Sequence, residues 1–176
     1  MAEDNHERFV EKIRQEQGLT NEVPGFDSDN GNEVAKYLFV LEAPGRMAVK
    51  SGRLSLENND PTARKFKEQL LKARIDKSEI VLWNIVPWYL GENGKIRSAK
   101  TSDVNVCFEY LDNLIARLKE LECIVLVGSA ARKAHVHLSH KTNLRVLSCH
   151  PPSPLVMHTS DEKDKENVEV FKAMHR

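Results

Sequence analysis

Four short and almost entirely apolar segments of this 176-residue chain alternate with segments of helical periodicity. The apolar segments cover residues 37–41, 80–85, 123–127 and 144–147. Strands without a polar side are typical of a parallel sheet that is covered on both faces. Alternation with helices indicates the same α/β arrangement. The sequence therefore predicts a three-layer α/β/α sandwich with a central four-stranded parallel sheet.

The predicted helices surround these strands, and one of them has a clear start signal. Asp60 followed by Pro61 is a favourable helix N-terminus, with the aspartate as N-cap and proline in the first turn. Further helices are predicted over residues 7–17, over 102–121 (capped by Ser102 or Asp103), over 129–138 and over 163–174. Long loops are predicted at 45–59 and 87–100. We expect one domain over 1–176, with an N-terminal helix and loop at 1–33 and the core at 34–176.

Charge and cysteine content limit the class of protein. Lys plus Arg and Asp plus Glu each total 26, so the balanced charge does not favour nucleic-acid binding, although a local basic patch suffices for phosphate contact. The three cysteines are odd in number and lack a CxxC spacing, which favours a reducing compartment. No apolar run approaches the roughly 20 residues of a membrane span. We expect a cytoplasmic, monomeric protein without a membrane segment.

The segment Glu42-Ala43-Pro44-Gly45 directly follows the first apolar run. Open α/β sheets bind ligands outside the carboxyl ends of their strands, where this segment lies. Glu42 is either a surface carboxylate without a role or a group that orients a water molecule. Backbone N–H groups after Pro44 are suited to accepting a ligand carbonyl.

Two other strand ends carry polar residues of similar interest. Asn84 either holds a neighbouring loop or reads the edge of a nucleobase, because its amide offers one donor and one acceptor side by side. His150 precedes a proline-rich loop and is either structural or a donor to a developing oxyanion. Ser153 lies in no nucleophile motif.

The basic and histidine-containing segment after the third strand has less specific chemistry. Arg132 and Lys133 are either the solvated end of a helix or phosphate contacts. His135, His137 and His140 have a spacing that does not align three rings on one helix face, so we expect no metal site.

Together these segments resemble the uracil-DNA glycosylase superfamily, and are most similar to small bacterial members without an iron–sulfur cluster. The resemblance runs from about residue 23 to the end of the chain. The segments that carry it, in order, are Leu38-Phe39-Val40-Leu41-Glu42-Ala43-Pro44-Gly45, Asn58-Asn59-Asp60-Pro61-Thr62-Ala63, Leu82-Trp83-Asn84-Ile85-Val86-Pro87-Trp88, Val125-Leu126-Val127-Gly128-Ser129-Ala130-Ala131 and His150-Pro151-Pro152-Ser153-Pro154.

The resemblance implies a DNA glycosylase of base excision repair, which flips a uracil-like base out of DNA and hydrolyses its glycosidic bond. It implies catalytic roles for Glu42 and His150, which would place water and stabilise charge on the base. It implies that residues 42–45 are the family's first motif, with base contacts from Ala43, Pro44 and Gly45. It also implies a base contact from Asn84. The loop at residues 150–154 corresponds to the family's second motif, and contacts to DNA are implied for its Pro151, Pro152, Ser153 and Pro154. Contacts to DNA are predicted for the basic helix end at Arg132 and Lys133.

The chain departs from the family pattern at three places. Ala43 replaces the aspartate of the most active branch, and the second motif is one residue too long. The stretch 52–56 lacks the aromatic residue that stacks on the base, so Arg53 and Leu54 are predicted to contact the base instead, with the guanidinium as a stacking group. The family's four-cysteine cluster cannot be built, because Trp88 replaces one cysteine and none precedes Cys107, and we expect no cofactor.

Three functions therefore remain to be separated. The first is a glycosylase for uracil or a related deaminated base, in single- or double-stranded DNA. The second is a weakly active or inactive module that binds nucleic acid or a nucleobase on the same fold. The third, an enzyme of nucleotide metabolism, is disfavoured because no glycine-rich phosphate loop is present.

Overall fold

The computed structural model describes residues 5–92, 94–158 and 161–175. Its central sheet has four parallel strands, which are in spatial order Ile80–Asn84, Tyr37–Leu41, Cys123–Val127 and Arg145–Cys149, and this confirms the predicted sheet. The strands of the structure are β1 (Gly25–Phe26), β2 (Tyr37–Leu41), β3 (Arg53–Leu54), β4 (Ile80–Asn84), β5 (Gly91–Glu92), β6 (Lys95–Ile96), β7 (Cys123–Val127) and β8 (Arg145–Cys149). The helices are α1 (Asn5–Gln17), α2 (Arg46–Ser51), α3 (Pro61–Ala73), α4 (Thr101–Asn105), α5 (Phe108–Ile115), α6 (Gly128–Arg132), α7 (His135–Lys141), α8 (Pro154–Met157) and α9 (Asp161–Ala173).

The register of β2 and β4 assigns their side chains to the two faces of the sheet. Phe39 is paired with Leu82, so these side chains share a face, and Phe39 packs edge-on against Phe66 of α3. Trp83 points to the opposite face, where it contacts Phe9 of α1. Helices therefore cover both faces, which confirms the three-layer arrangement.

Helix α3 begins where the sequence predicts. The Asp60 carboxylate accepts a hydrogen bond from the Ala63 N–H at 2.9 Å, and Pro61 occupies the first helical position. Phe66 and Leu70 are buried on its inner side. The first turn of α3 lies at the carboxyl edge of the sheet, beside the end of β2, since Leu41 and Pro61 line the same cavity.

Several boundaries differ from the sequence prediction. The two long loops contain structure: α2 and β3 lie within 45–59, and the β5–β6 hairpin lies within 87–100. The predicted helix over 102–121 is two helices, because the chain turns at 106–107, and it begins with Lys100 rather than Ser102 or Asp103 at the N-cap position. The predicted helix over 129–138 is likewise divided into α6 and α7. These elements are too short for hydrophobic periodicity to reveal them.

Candidate nucleobase-binding site

A cavity of about 440 Å³ lies at the carboxyl edge of the sheet, between the ends of β2 and β4 and the first turns of α3. Its walls come from four separate parts of the chain. The lining residues are Leu41, Ala43, Pro44, Gly45, Arg46, Met47, Ala48, Leu54, Ser55, Leu56, Asn58, Asp60, Pro61, Thr62, Ala63, Phe66, Leu82, Asn84 and Ile96. Most of this wall is apolar, so polar contacts to a ligand depend on a few side chains and on the backbone.

Asn84 is the last residue of β4 and lines this cavity. It is 4% exposed, and its buried Oδ1 atom has no hydrogen-bond partner among the described residues. An unpaired buried acceptor costs about 1–3 kcal/mol, which a ligand donor would recover. Its register partner Leu41 lines the same cavity, so the amide lies beside the end of β2.

Ala43, Pro44 and Gly45 line the cavity and lead into α2. The preceding Glu42 is not among the lining residues. Its Oε1 atom accepts a hydrogen bond from the Ala99 N–H at 2.7 Å, which anchors the loop after β6. Glu42 is thus held at the start of the cavity-lining stretch with one carboxylate oxygen engaged.

Asp60 is a cavity residue that the sequence identified only as a helix cap. One of its oxygens is used by the cap, and the residue is half-buried. It lies with Asn58 and Thr62 on the wall formed by α3 and the segment before it. In the sequence, the feature that points to this carboxylate is its position at the start of the helix that follows the first motif.

The stretch predicted to replace the stacking aromatic residue is divided by the structure. Leu54 is buried and lines the cavity, but Arg53 is exposed and is not a lining residue. The backbone of β3 pairs with β1, and successive side chains of a strand point to opposite sides. Leu54 therefore faces the cavity, whereas the Arg53 side chain lies on the other side of the strand.

His150, to which the resemblance gives a catalytic role, does not line this cavity with Asn84. The imidazole Nε2 of His150 lies 2.7 Å from Glu166 Oε2 of α9. His150 lines a separate groove of about 490 Å³ between the end of β8 and α9, together with Arg132. The strand β8 lies two positions from β2 in the sheet, which separates its carboxyl end from the cavity between β2 and β4.

The remainder of the second motif forms a turn and the short helix α8. Pro151 packs against Gly128, where a Cβ atom would lie 2.9 Å from the proline Cγ and where φ is +86°. Pro152 is buried and Pro154 begins α8. Leu155 follows and is 85% exposed, a feature that the sequence analysis did not single out.

The basic residues and histidines after β7 are spread over different surroundings. Lys133 is exposed, and Arg132 donates to the Gly128 carbonyl at 3.3 Å. His137 Nε2 lies 2.8 Å from Asp112 Oδ1, and its ring stacks on Phe108. No group of three potential metal ligands occurs within the described part of the chain.

All three cysteines are buried. Burial raises the pKa of both Cys107 and Cys149 to about 12, so neither thiol is a nucleophile at neutral pH.

Across residues 5–92, 94–158 and 161–175, no helix combines the length and apolar character needed to span a bilayer.

The family model described as "Uracil DNA glycosylase superfamily" matches residues 28–175. Among solved structures, the chain is similar to the solution NMR structure of a Methanosarcina acetivorans protein described as a "putative Uracil DNA glycosylase". That similarity has a TM-score of 0.60 at 14% identity and covers 88% of this chain and 99% of the other, so it supports the fold. A comparison with curated proteins finds no match. Because the family model covers most of its length, this chain belongs to the uracil DNA glycosylase superfamily.

Proposed function

We propose that this protein is a DNA glycosylase that removes uracil or a related deaminated base in base excision repair. The observation that carries the proposal is the buried, unpaired Oδ1 atom of Asn84 in an otherwise largely apolar cavity. An amide in this setting discriminates strongly between ligands, because a base without the matching edge leaves it unpaired. Apolar walls suit the faces of a flipped planar ring.

The reaction is assigned to the first motif. The C1′–N bond breaks with its electron pair leaving on the base, and water adds to C1′ of the sugar. In the proposal, Glu42 orients that water through the carboxylate oxygen that Ala99 does not engage, and accepts its proton. The backbone around Ala43, Pro44 and Gly45 contacts the base.

Contact with DNA is proposed for the loop after β8. Proteins that bend or open DNA insert exposed apolar side chains between base steps. Leu155 is an exposed apolar side chain, and we propose that it inserts in this way. Pro151, Pro152, Ser153 and Pro154 hold the turn from which it projects, and Arg132 and Lys133 are proposed to meet phosphates. Uracil-containing DNA, single- or double-stranded, is thus the proposed partner of a cytoplasmic monomer without a cofactor.

A second candidate, a module that binds a base or nucleic acid without turnover, is favoured by one observation. His150 is paired with Glu166 away from the cavity, and among the described residues no imidazole lines it. Ala43 adds no acid or base. A protein of this kind would bind uracil-containing DNA but release no base.

The deciding experiment is an excision assay on single- and double-stranded oligonucleotides that carry uracil, xanthine or hypoxanthine, with DNA binding measured in parallel at the same salt concentration. Asn84→Asp replaces a donor with a charged acceptor, and we expect excision of uracil to fall by about 10²-fold or more. The matched control is Asn105→Asp, at an exposed position of α4, which should cleave as the parent does.

The results of this assay separate the two candidate functions. Excision by the parent that Asn84→Asp abolishes in a folded protein supports the glycosylase. Binding without release of any of the three bases favours the second candidate. Equal excision by the parent and a folded Asn84→Asp variant would remove Asn84 from the site.

A further inference from the structure

Two completely buried amide side chains lie outside the cavity and take no part in the proposed chemistry. Gln69 of α3 and Asn167 of α9 are each 0% exposed. The Asn167 Nδ2 group donates to Gln69 Oε1 at 3.3 Å, which joins the two helices at one point. Buried polar groups of this kind are costly unless every donor and acceptor is used.

The other hydrogen bonds of the Asn167 side chain are made to the backbone of His150. Its Oδ1 atom accepts the His150 N–H at 2.8 Å, and its Nδ2 group donates to the His150 carbonyl at 2.9 Å. Because Oδ1 faces a donor and Nδ2 faces an acceptor, only one orientation of the amide satisfies both bonds. The backbone of His150, at the start of the second motif, is therefore held by Asn167 independently of the His150 side chain.

Gln69 holds the other end of the same segment. Its Nε2 group donates to the Met157 sulfur at 3.6 Å and to Asp164 Oδ1 at 2.9 Å. Burial alone would raise the pKa of Asp164, but hydrogen bonds from Gln69 and Lys72 outweigh burial and hold this pKa below its usual value. The carboxylate thus remains an acceptor for Gln69 at neutral pH.

We propose that Gln69 and Asn167 are positioning residues whose paired amides hold residues 150–157 at both ends, against the helix that walls the base cavity. Phe66, one turn before Gln69 on α3, lines that cavity. Leu155 lies between the two anchored ends. The position of this segment relative to the base cavity is thus set by the amide pair. The consequence for DNA rests on the proposed function; the positioning itself does not.

The test uses Asn167→Asp, which nearly preserves shape but sets an oxygen against two acceptors, the His150 carbonyl and Gln69 Oε1. Backbone hydrogen exchange in peptides covering 150–157 should become at least about tenfold faster, while exchange in β7 stays at the parent rate. In single-turnover excision, the DNA concentration at half-maximal rate should rise at least about tenfold, with a smaller change in the maximal rate. Asn105→Asp is the matched control for both measurements.

Gln69→Glu is the second variant and acts at the other end of the segment. It sets a carboxylate against Asp164 and should accelerate exchange around Met157 in the same way. Lower pH should partly restore protection in Asn167→Asp, because protonation of the introduced carboxyl returns a donor.

Unchanged exchange at 150–157, or an equal acceleration in β7, in the folded variants would overturn the positioning role. If the parent protein releases no base at all, the proposed function fails, but the exchange experiment still decides whether the amide pair positions the segment.

Discussion

Glu42 and Asp60 are two carboxylates at the carboxyl edge of the sheet, and each is held by one backbone N–H. Ala99 donates to Glu42 at 2.7 Å, and Ala63 donates to Asp60 at 2.9 Å. The second carboxylate oxygen of each residue takes no part in these two hydrogen bonds. Of the two, Asp60 lines the cavity, whereas Glu42 directly precedes the lining residues Ala43 to Gly45.

Amide substitutions separate the two carboxylates without releasing the backbone that each one holds. Glutamine and asparagine retain an acceptor oxygen, so Glu42→Gln should still bind Ala99 and Asp60→Asn should still cap α3. If Glu42 orients the water, Glu42→Gln should lower the single-turnover rate of uracil excision by about 10²-fold or more, with DNA binding retained at matched salt. Asp60→Asn should lower this rate less than tenfold.

The opposite ranking of these two rates would transfer the water-orienting role to Asp60. Equal and small losses would mean that the rate comes from stabilisation of the leaving base and sugar rather than from a carboxylate. Thermal unfolding of both variants, compared with the parent, shows whether the anchored loop and the helix cap have survived.

The connection from β6 to α4 is the element that closes one side of the cavity. Ile96 lines the cavity although it is 51% exposed. Arg97 forms a two-pronged ion pair with Asp103, at 2.7 and 3.0 Å, and the Lys100 N–H donates to the same carboxylate at 2.7 Å. With Ala99 bound to Glu42, the connection is held at successive residues by two carboxylates.

The hydrogen bond from Arg97, aided by that from Lys100, lowers the pKa of Asp103 to about 2. A lowered carboxyl pKa stabilises the folded state above the unfolded pKa of about 4, and this contribution is lost as pH falls toward 2. Asp103→Asn should therefore be less stable than the parent to urea at pH 7, and the difference should shrink between pH 4 and pH 2. A difference that is independent of pH would assign the loss to packing instead.

At the scale of the whole molecule, an aromatic cluster joins the sheet to the two helices that carry the cavity wall and the amide pair. Phe39 of β2, Phe66 of α3 and Phe171 of α9 have ring centroids 5.0 to 5.7 Å apart. All three are buried. Since Phe66 also lines the cavity, the core and the candidate site share a side chain.

Phe171→Ala should lower the free energy of unfolding by about 3–5 kcal/mol, because it removes a buried ring and leaves a cavity. Urea denaturation monitored by circular dichroism measures this change. Val136→Ala is the control, since Val136 is 68% exposed and should change the stability by no more than about 0.5 kcal/mol. A loss below about 1 kcal/mol in Phe171→Ala would show that α9 contributes little to the core.

The sequence by itself determined the parallel sheet and the start of α3, and it placed Asn84 within one residue of a strand end. These features depend on local signals: buried strands are apolar throughout, and an Asp-Pro pair caps a helix within one turn. The short elements α2, α8 and the β5–β6 hairpin escaped prediction because they contain too few residues for periodicity to show.

Only the tertiary structure decided which side chains meet. His150 pairs with Glu166, 16 residues further along the chain, instead of facing the cavity. Gln69 and Asn167 are 98 residues apart and meet only because α3 and α9 pack on the same face of the sheet. Local sequence carries no record of such partners, since they depend on how elements that are distant along the chain are brought together. For that reason the position of the cavity was predictable from strand ends, but the anchoring of the 150–157 segment by Gln69 and Asn167 was not.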